Sequence, residues 1–257
     1  MTTSTISINK SLKTAATKLV AVLFWVLLWQ ALSVYLDSSL LLPSPIETIK
    51  RLFELCKNPD FFIVCASSVI RITAGCVLGI VLGTVLGAIT AFSKLIYELI
   101  LPLVTVIRST PVASFIILAL VWIKRDNVAV FISCLMVLPI LWSNVCEGIK
   151  SCDKKLLEMS KIFNFSFSKR LKLIYLPSVS PYFFAGCTSA IGLSWKAGVA
   201  AEVLSLPKYA LGSELYYSKI YLEMPSLFAV TLVVIIFSII IEKLLSIFFK
   251  RLSGVNK

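Results

Sequence analysis

Six stretches of this chain are long and apolar enough to fill the hydrocarbon core of a bilayer, and that limits its fold more than any single motif. A spanning helix needs about 20 mostly apolar residues. The stretches run from about Leu19 to Leu36, Ile72 to Phe92, Leu95 to Ile123, Val128 to Val145, Tyr182 to Val203 and Leu227 to Phe249. The second contains no charge, and the sixth holds the run LFAVTLVVIIFSIII. The third is interrupted by Pro102 and Pro111 with Arg108 between them, so it is expected to kink or re-enter. The expected fold is an all-α integral membrane protein of about six transmembrane helices, with one long internal loop between the fourth and fifth.

Composition agrees. Apolar residues make up 58% of the chain and charged ones 15%, with a mean hydropathy of +0.94. Soluble domains run about 45–50% apolar and about 25% charged. The chain contains no histidine. A histidine-based triad, histidine-ligated zinc and proximal-histidine haem are therefore excluded. No G-x-x-x-x-G-K-[ST] loop, G-x-S-x-G elbow or H-E-x-x-H pair occurs, so neither unaided ATP hydrolysis by a phosphate loop nor a recognisable membrane-enzyme chemistry is expected. No cofactor, metal site or catalytic residue is assigned.

The net charge of +12 would suggest nucleic acid in a soluble protein, but its distribution points elsewhere. With six spans both termini share a side. That side carries 15 Lys and Arg, against eight on the other. The positive-inside rule places it in the cytoplasm of a cell whose plasma or inner membrane holds the protein. The basic excess is then a topology signal, and no nucleic-acid partner is implied. The first span follows a polar tail with Lys10, Lys13 and Lys18, yet it is too long for a signal-peptide core and Ala31-Leu32-Ser33 is a poor cleavage site, so it reads as an uncleaved helix. The chain divides into a cytoplasmic tail (1–18), a first helix with its external segment (19–59), the main transmembrane domain (60–250) and a short cytoplasmic tail (251–257).

Seven cysteines occur without a C-x-x-C pair. Cys56 and Cys65 form the only external pair and are expected on one helix, too far apart to bridge; free thiols are expected throughout. The second span places Gly75, Gly79, Gly83 and Gly87 in one smooth stripe. Such a stripe admits another helix closely, either as ordinary packing within the bundle, which is the favoured reading, or at a subunit interface or pathway.

The internal segment 146–178 is the most informative. Leu156, Leu157, Met159, Ile162 and Phe163 fall on one side of a short helix, with Lys154, Lys155, Glu158 and Lys161 mostly on the other. Asp153 suits its N-terminus, and Asn164, which tolerates a left-handed backbone, suits its end. Such a helix can lie on lipid headgroups or dock into a soluble partner, and its chemistry alone does not choose.

This segment resembles the EAA loop in the membrane subunits of binding-protein-dependent ABC importers. That motif is Glu-Ala-Ala, three residues, Gly, nine residues, then Ile-x-Leu-Pro. Here Glu158-Met159-Ser160 is followed at matching spacing by Asn164 and by Ile174-Tyr175-Leu176-Pro177, departing from the motif at both alanines and at the glycine. In that family the first helix of the loop is the coupling helix, seated in a cleft of the cytoplasmic ATPase. The resemblance spans roughly residues 40–250. Leu42-Pro43-Ser44-Pro45 and Gly192-Leu193-Ser194-Trp195-Lys196, leading to Ala200-Ala201-Glu202, are similar to the nitrate, sulfonate and taurine branch. It implies a permease subunit without bond chemistry of its own. Its implied partners are an ATP-binding subunit, an extracytoplasmic solute-binding protein and a second permease copy, within the lipid bilayer.

Charges inside spans mark candidates for the pathway, because such a charge costs several kcal/mol unless it faces a cavity, a partner or the bundle interior. Lys196 and Glu202 lie about 9 Å apart along a helix and not on one face, so they are not expected to pair with each other. Arg108 and the neighbouring Trp195 complete the set. A self-sufficient channel or ion-coupled carrier would explain the glycine stripe and Lys196 equally well, but gives no reason for a spaced motif in a long basic loop and would be expected to show matching broken helices.

Overall fold

The computed structural model describes residues 3–252. Among them every regular element is helical: α1 (Thr3–Leu36), α2 (Pro45–Lys57), α3 (Pro59–Phe92), α4 (Lys94–Ser109), α5 (Val112–Trp122), α6 (Arg125–Lys150), α7 (Lys154–Ile162), α8 (Phe167–Arg170), α9 (Leu176–Ser205), α10 (Leu211–Ile220) and α11 (Met224–Leu252). A π turn over Leu171–Tyr175 joins α8 to α9. Residues 1–2 and 253–257 of the two expected tails lie outside the described residues.

Short polar residues and prolines set the boundaries. Ser44 caps α2 in a reciprocal box with Glu47, with Pro45 as its first residue. Asn58 accepts the Asp60 N–H, and Pro59 opens α3. This break corrects one expectation: Cys56 and Cys65 lie on two helices, α2 and α3, although both are free thiols as expected. The third span breaks at Pro111, where Thr110 is forced into extended backbone, and α4 and α5 are bent by 107°. Pro102 sits inside α4 without ending it.

By length and apolarity α1, α3, α6 and α11 can each cross a membrane, and α4 with α5 makes a fifth, bent crossing. The 30-residue α9, expected to span, is long enough but less apolar, because serines, glycines, Lys196 and Glu202 interrupt its apolar residues. The apolar residues left exposed lie on outward faces, such as Val77, Val81 and Val85 on α3 and Ile235, Ile236 and Ile239 on α11. Such faces are what a hydrocarbon solvent requires.

The glycine stripe is internal packing. A Cβ on Gly79 or on Gly83 would lie 2.7 Å from the carbonyl oxygen of Cys134 or Leu138 respectively, well inside ordinary contact. Gly75 meets Val130 and Gly87 meets Trp142 in the same way. These contacts advance together along both helices, so α3 and α6 run parallel. The bent α4–α5 pair therefore carries the chain back from the end of α3 to the start of α6.

The α9 helix runs the opposite way. Gly186 lies on Asn144, the Ser194 carbonyl accepts from Ser133 Oγ at 3.3 Å, and Gly198 packs on Ile72. In turn α11 opposes α9, with Trp195 Nε1 donating to the Val234 carbonyl at 3.1 Å. The C-terminal ends of α3, α6 and α11 thus share one end of the bundle with the 151–175 segment. The α1 helix is held more lightly. Trp29 stacks on Phe228 and donates to the Pro43 carbonyl at 3.0 Å, and Ser33 Oγ donates to the Leu42 carbonyl.

Replacing Gly83 by Ala should lower stability in detergent by about 1–3 kcal/mol, the usual cost of overpacking a filled contact. Val85→Ala on the lipid face should change it by less than about 0.5 kcal/mol. Thermal unfolding of the two variants separates these outcomes; equal effects would contradict the close α3–α6 approach.

Candidate functional site

The internal loop starts where α6 ends. Asp153 Oδ1 accepts the Lys155 N–H at 2.8 Å and opens α7. The helix closes in a Schellman arrangement: Phe165 N–H donates to the Ser160 carbonyl at 2.8 Å and Asn164 N–H to the Lys161 carbonyl at 3.1 Å, with Asn164 left-handed at φ 49°. Asn164 thus makes the left-handed turn expected of it. Ser160 is buried, its hydroxyl on the Leu157 carbonyl, and Leu157 is half-buried. Glu158 and Met159 are exposed, and so are the two large apolar residues at the helix end, Ile162 at 78% and Phe163 at 68%.

The second half of the loop turns back onto the bundle. Lys169 Nζ lies 4.1 Å over the Phe165 ring, and Arg170 Nε donates to the Phe165 carbonyl. Ile174 is buried, whereas Leu176 and Pro177 are exposed at the start of α9. Pro177 has no N–H to give the helix, and the chain enters α9 through the π turn, Leu176 N–H reaching the Leu171 carbonyl. Tyr175 meets Phe92, the last residue of α3, edge-on at 5.4 Å. Lys150 Nζ sits 4.1 Å over the Tyr97 ring, which stacks at 5.3 Å on Trp142. The loop is therefore tied to the end of α3, and the end of α6 from which it leaves is tied to the start of α4.

The four charge-bearing or aromatic candidates within the spans separate into two groups. Lys196 is exposed on a continuous open stripe of α9 with Ala185, Ser189, Leu193, Ala200 and Leu204. Arg108, at the α4–α5 elbow, is also exposed, with Nη2 donating to the Pro139 carbonyl and to Ser143 Oγ, each at 2.7 Å. Trp195 and Glu202 are buried on the closed side of α9, away from the open stripe, and Glu202 is off the Lys196 face as its spacing predicts. Trp195 packs among Ile72, Val199 and Val230.

Glu202 has no exposed surface and accepts from Ser68 Oγ at 2.7 Å, from the Gly212 N–H at 3.2 Å and from Arg71 Nη1 at 3.3 Å. Arg71 also donates to the carbonyls of Lys208 and Tyr209, and Ser68 Oγ accepts the Leu211 N–H. This network fastens the left-handed turn at Leu206 and Tyr209 to α3. Arg71 and Ser68 were missed from sequence. The only signal was an arginine at the rim of a charge-free run, for which a buried carboxylate elsewhere is the natural partner.

Residues 79–254 match the family model described as the binding-protein-dependent transport system inner membrane component. The chain belongs to that family. As a binding-protein-dependent inner membrane component it is a multi-pass transport subunit. It is 24% identical over 179 residues to the putative aliphatic sulfonates transport permease protein SsuC of Bacillus subtilis, a match covering 69% of this chain and 65%, just under two thirds, of that protein. It is 26% identical over 195 residues to the nitrate import permease protein NrtB of Synechocystis sp., covering 72% and 70%. To the bicarbonate transport system permease protein CmpB of Synechococcus elongatus it is 25% identical over 198 residues, again covering 72% and 70%. A crystal structure of an amino acid ABC transporter with histidines shares the inner-membrane component's fold at a TM-score of 0.54 and 16% identity, covering 74% of this chain and 94% of that one.

Glu202→Ala leaves the Arg71 guanidinium without its counter-charge and should destabilise the subunit by about 3–5 kcal/mol. The Arg71→Ala, Glu202→Ala double variant should lose clearly less than the two single losses combined. Thermal unfolding in detergent reads both, and simple additivity would show that the pair is not coupled.

Proposed function

We propose that this subunit pairs with a second copy to form the path of an ABC importer for a small oxyanion. The sulfonate, nitrate and bicarbonate named for its relatives are all anions, which supports that solute class. A solute-binding protein delivers the anion from outside, and a separate ATPase dimer drives the subunits between inward-open and outward-open forms. In this reading the chain crosses six times, with α9 as the fifth crossing. Residues 60–250 form the transport domain, and both termini and the 151–175 loop lie in the cytoplasm, where their basic excess belongs. The open α9 stripe lines the path, and Lys196 supplies a cation along it.

The observation that carries this reading is the exposed apolar end of α7. Ile162 and Phe163 project from the end of the bundle to which the basic segments are assigned, on a loop that leaves α6 next to Lys150 and meets the end of α3 through Tyr175 on its return. A fully buried side chain of that size stabilises a contact by about 1.5–3 kcal/mol. A cleft in the ATPase would cover both, while Leu157, Glu158, Met159, Ser160 and Asn164 shape the helix and its turn, and Ile174, Leu176 and Pro177 anchor its return. Movement of the ATPase then reaches α6 and α9 through the chain and α3 through Tyr175.

The double substitution Ile162→Ser, Phe163→Ser should release the ATPase while the permease still inserts and pairs. Pull-down of the ATPase from detergent-solubilised membranes measures this directly. Full retention would overturn the docking role and favour a helix lying on lipid.

A further inference from the structure

The charges within the membrane-spanning helices are settled very differently. Arg71 spends its guanidinium on Glu202 and two carbonyls, and Glu202 is closed off from solvent and lipid alike. Arg108 has no carboxylate within ion-pair distance among the described residues. It lies 14 residues into α4, and its acceptor Pro139 lies 14 residues into α6, so each helix puts the contact about 21 Å from where that helix starts. That depth is near the middle of the bilayer, beyond the reach of a lipid phosphate.

The side chain is nonetheless held. Both hydrogens of Nη2 are taken up by the Pro139 carbonyl and Ser143 Oγ on α6, and that fixes the plane of the guanidinium. Nη1 and Nε have no hydrogen-bond partner among the described residues, and the residue is exposed. A cation fixed at membrane depth with donors left over is costly unless an anion joins it.

We propose that Arg108 is an anion-recognition residue of the translocation path, receiving a small oxyanion on Nη1 and Nε at the bend between α4 and α5. This rests on the importer reading and adds to it the group that holds the solute in mid-membrane. The other source of a negative charge would be a carboxylate of the second copy. Among the described residues the exposed acid well inside a span is Glu242 on α11.

The test uses the whole importer, permease with its ATPase and binding protein, reconstituted in proteoliposomes and offered nitrate, bicarbonate and ethanesulfonate separately. Solute moved and ATP hydrolysed are measured together. Capture by the binding protein is upstream of the path, so the solute concentration for half-maximal uptake should stay unchanged in every variant. With the anion that the wild type moves, Arg108→Gln should lower the solute moved per ATP by about 10–100-fold, the value of a charge-assisted hydrogen bond or two. ATP hydrolysis stimulated by loaded binding protein should persist, and Arg108→Lys should restore part of the transport.

Unchanged transport by Arg108→Gln would overturn the proposal while leaving the importer reading intact. So would a parallel fall in transport, ATP hydrolysis and complex recovery, which marks a structural role. An equal defect in Glu242→Gln would assign Arg108 to the subunit contact instead. A wild type that moves none of the three anions would overturn the anion reading itself, and this proposal with it.

Discussion

The close, parallel approach of α3 and α6 is the constraint on which the rest of this molecule depends. Inside a bilayer no hydrophobic force draws helices together, since lipid tails are as apolar as leucine, so association rests on close van der Waals contact. Four glycines on α3 supply it by letting the backbone carbonyls of α6 come within contact distance. Parallel packing then dictates the path of the chain. It obliges the bent α4–α5 segment to return across the bundle, and it brings the ends of α3 and α6 together at the level where the internal loop begins.

Charge in the membrane is handled by two opposite devices. At the rim, Glu202 and Arg71 neutralise each other and use their remaining capacity on the α9–α10 turn, so a costly pair of ions becomes a fastening. At mid-depth, Arg108 is steadied by a carbonyl and a hydroxyl that satisfy only part of its donor capacity. The first arrangement leaves nothing for a ligand; the second leaves a charge facing outward. Lys196 belongs with the second, on a stripe that mixes Ala185, Ser189 and Ala200 with Leu193 and Leu204.

Local features were legible from the residues alone. The break at Pro111, the cap at Asp153 and the left-handed turn at Asn164 each follow from the backbone preferences of one or two residues. The glycine stripe announced a close helix contact without naming the partner helix. What escaped was long-range. Glu202 and Trp195 sit in a span beside Lys196, and nothing in their spacing says that they turn to the closed side, because that depends on where α3 and α11 pack. Arg71 lies 131 residues from its carboxylate partner, beyond any periodicity. The apparent continuity of the Cys56–Cys65 segment hid the cap at Asn58, a single residue whose side chain divides one helix into two.

The loop is the segment to which the proposed coupling falls. Asn164 makes the left-handed turn that ends α7, and Ser160 tucks its hydroxyl onto its own helix. Everything proposed for it requires that α7 and the outer turn before α11 lie on opposite sides of the membrane. Single cysteines at positions 154 and 221, in a background without the seven native ones, can be probed in intact cells with an impermeant thiol reagent. The account predicts labelling at 221 and protection at 154 until the membrane is opened. Labelling at 154 in intact cells, or equal access at both positions, would contradict it.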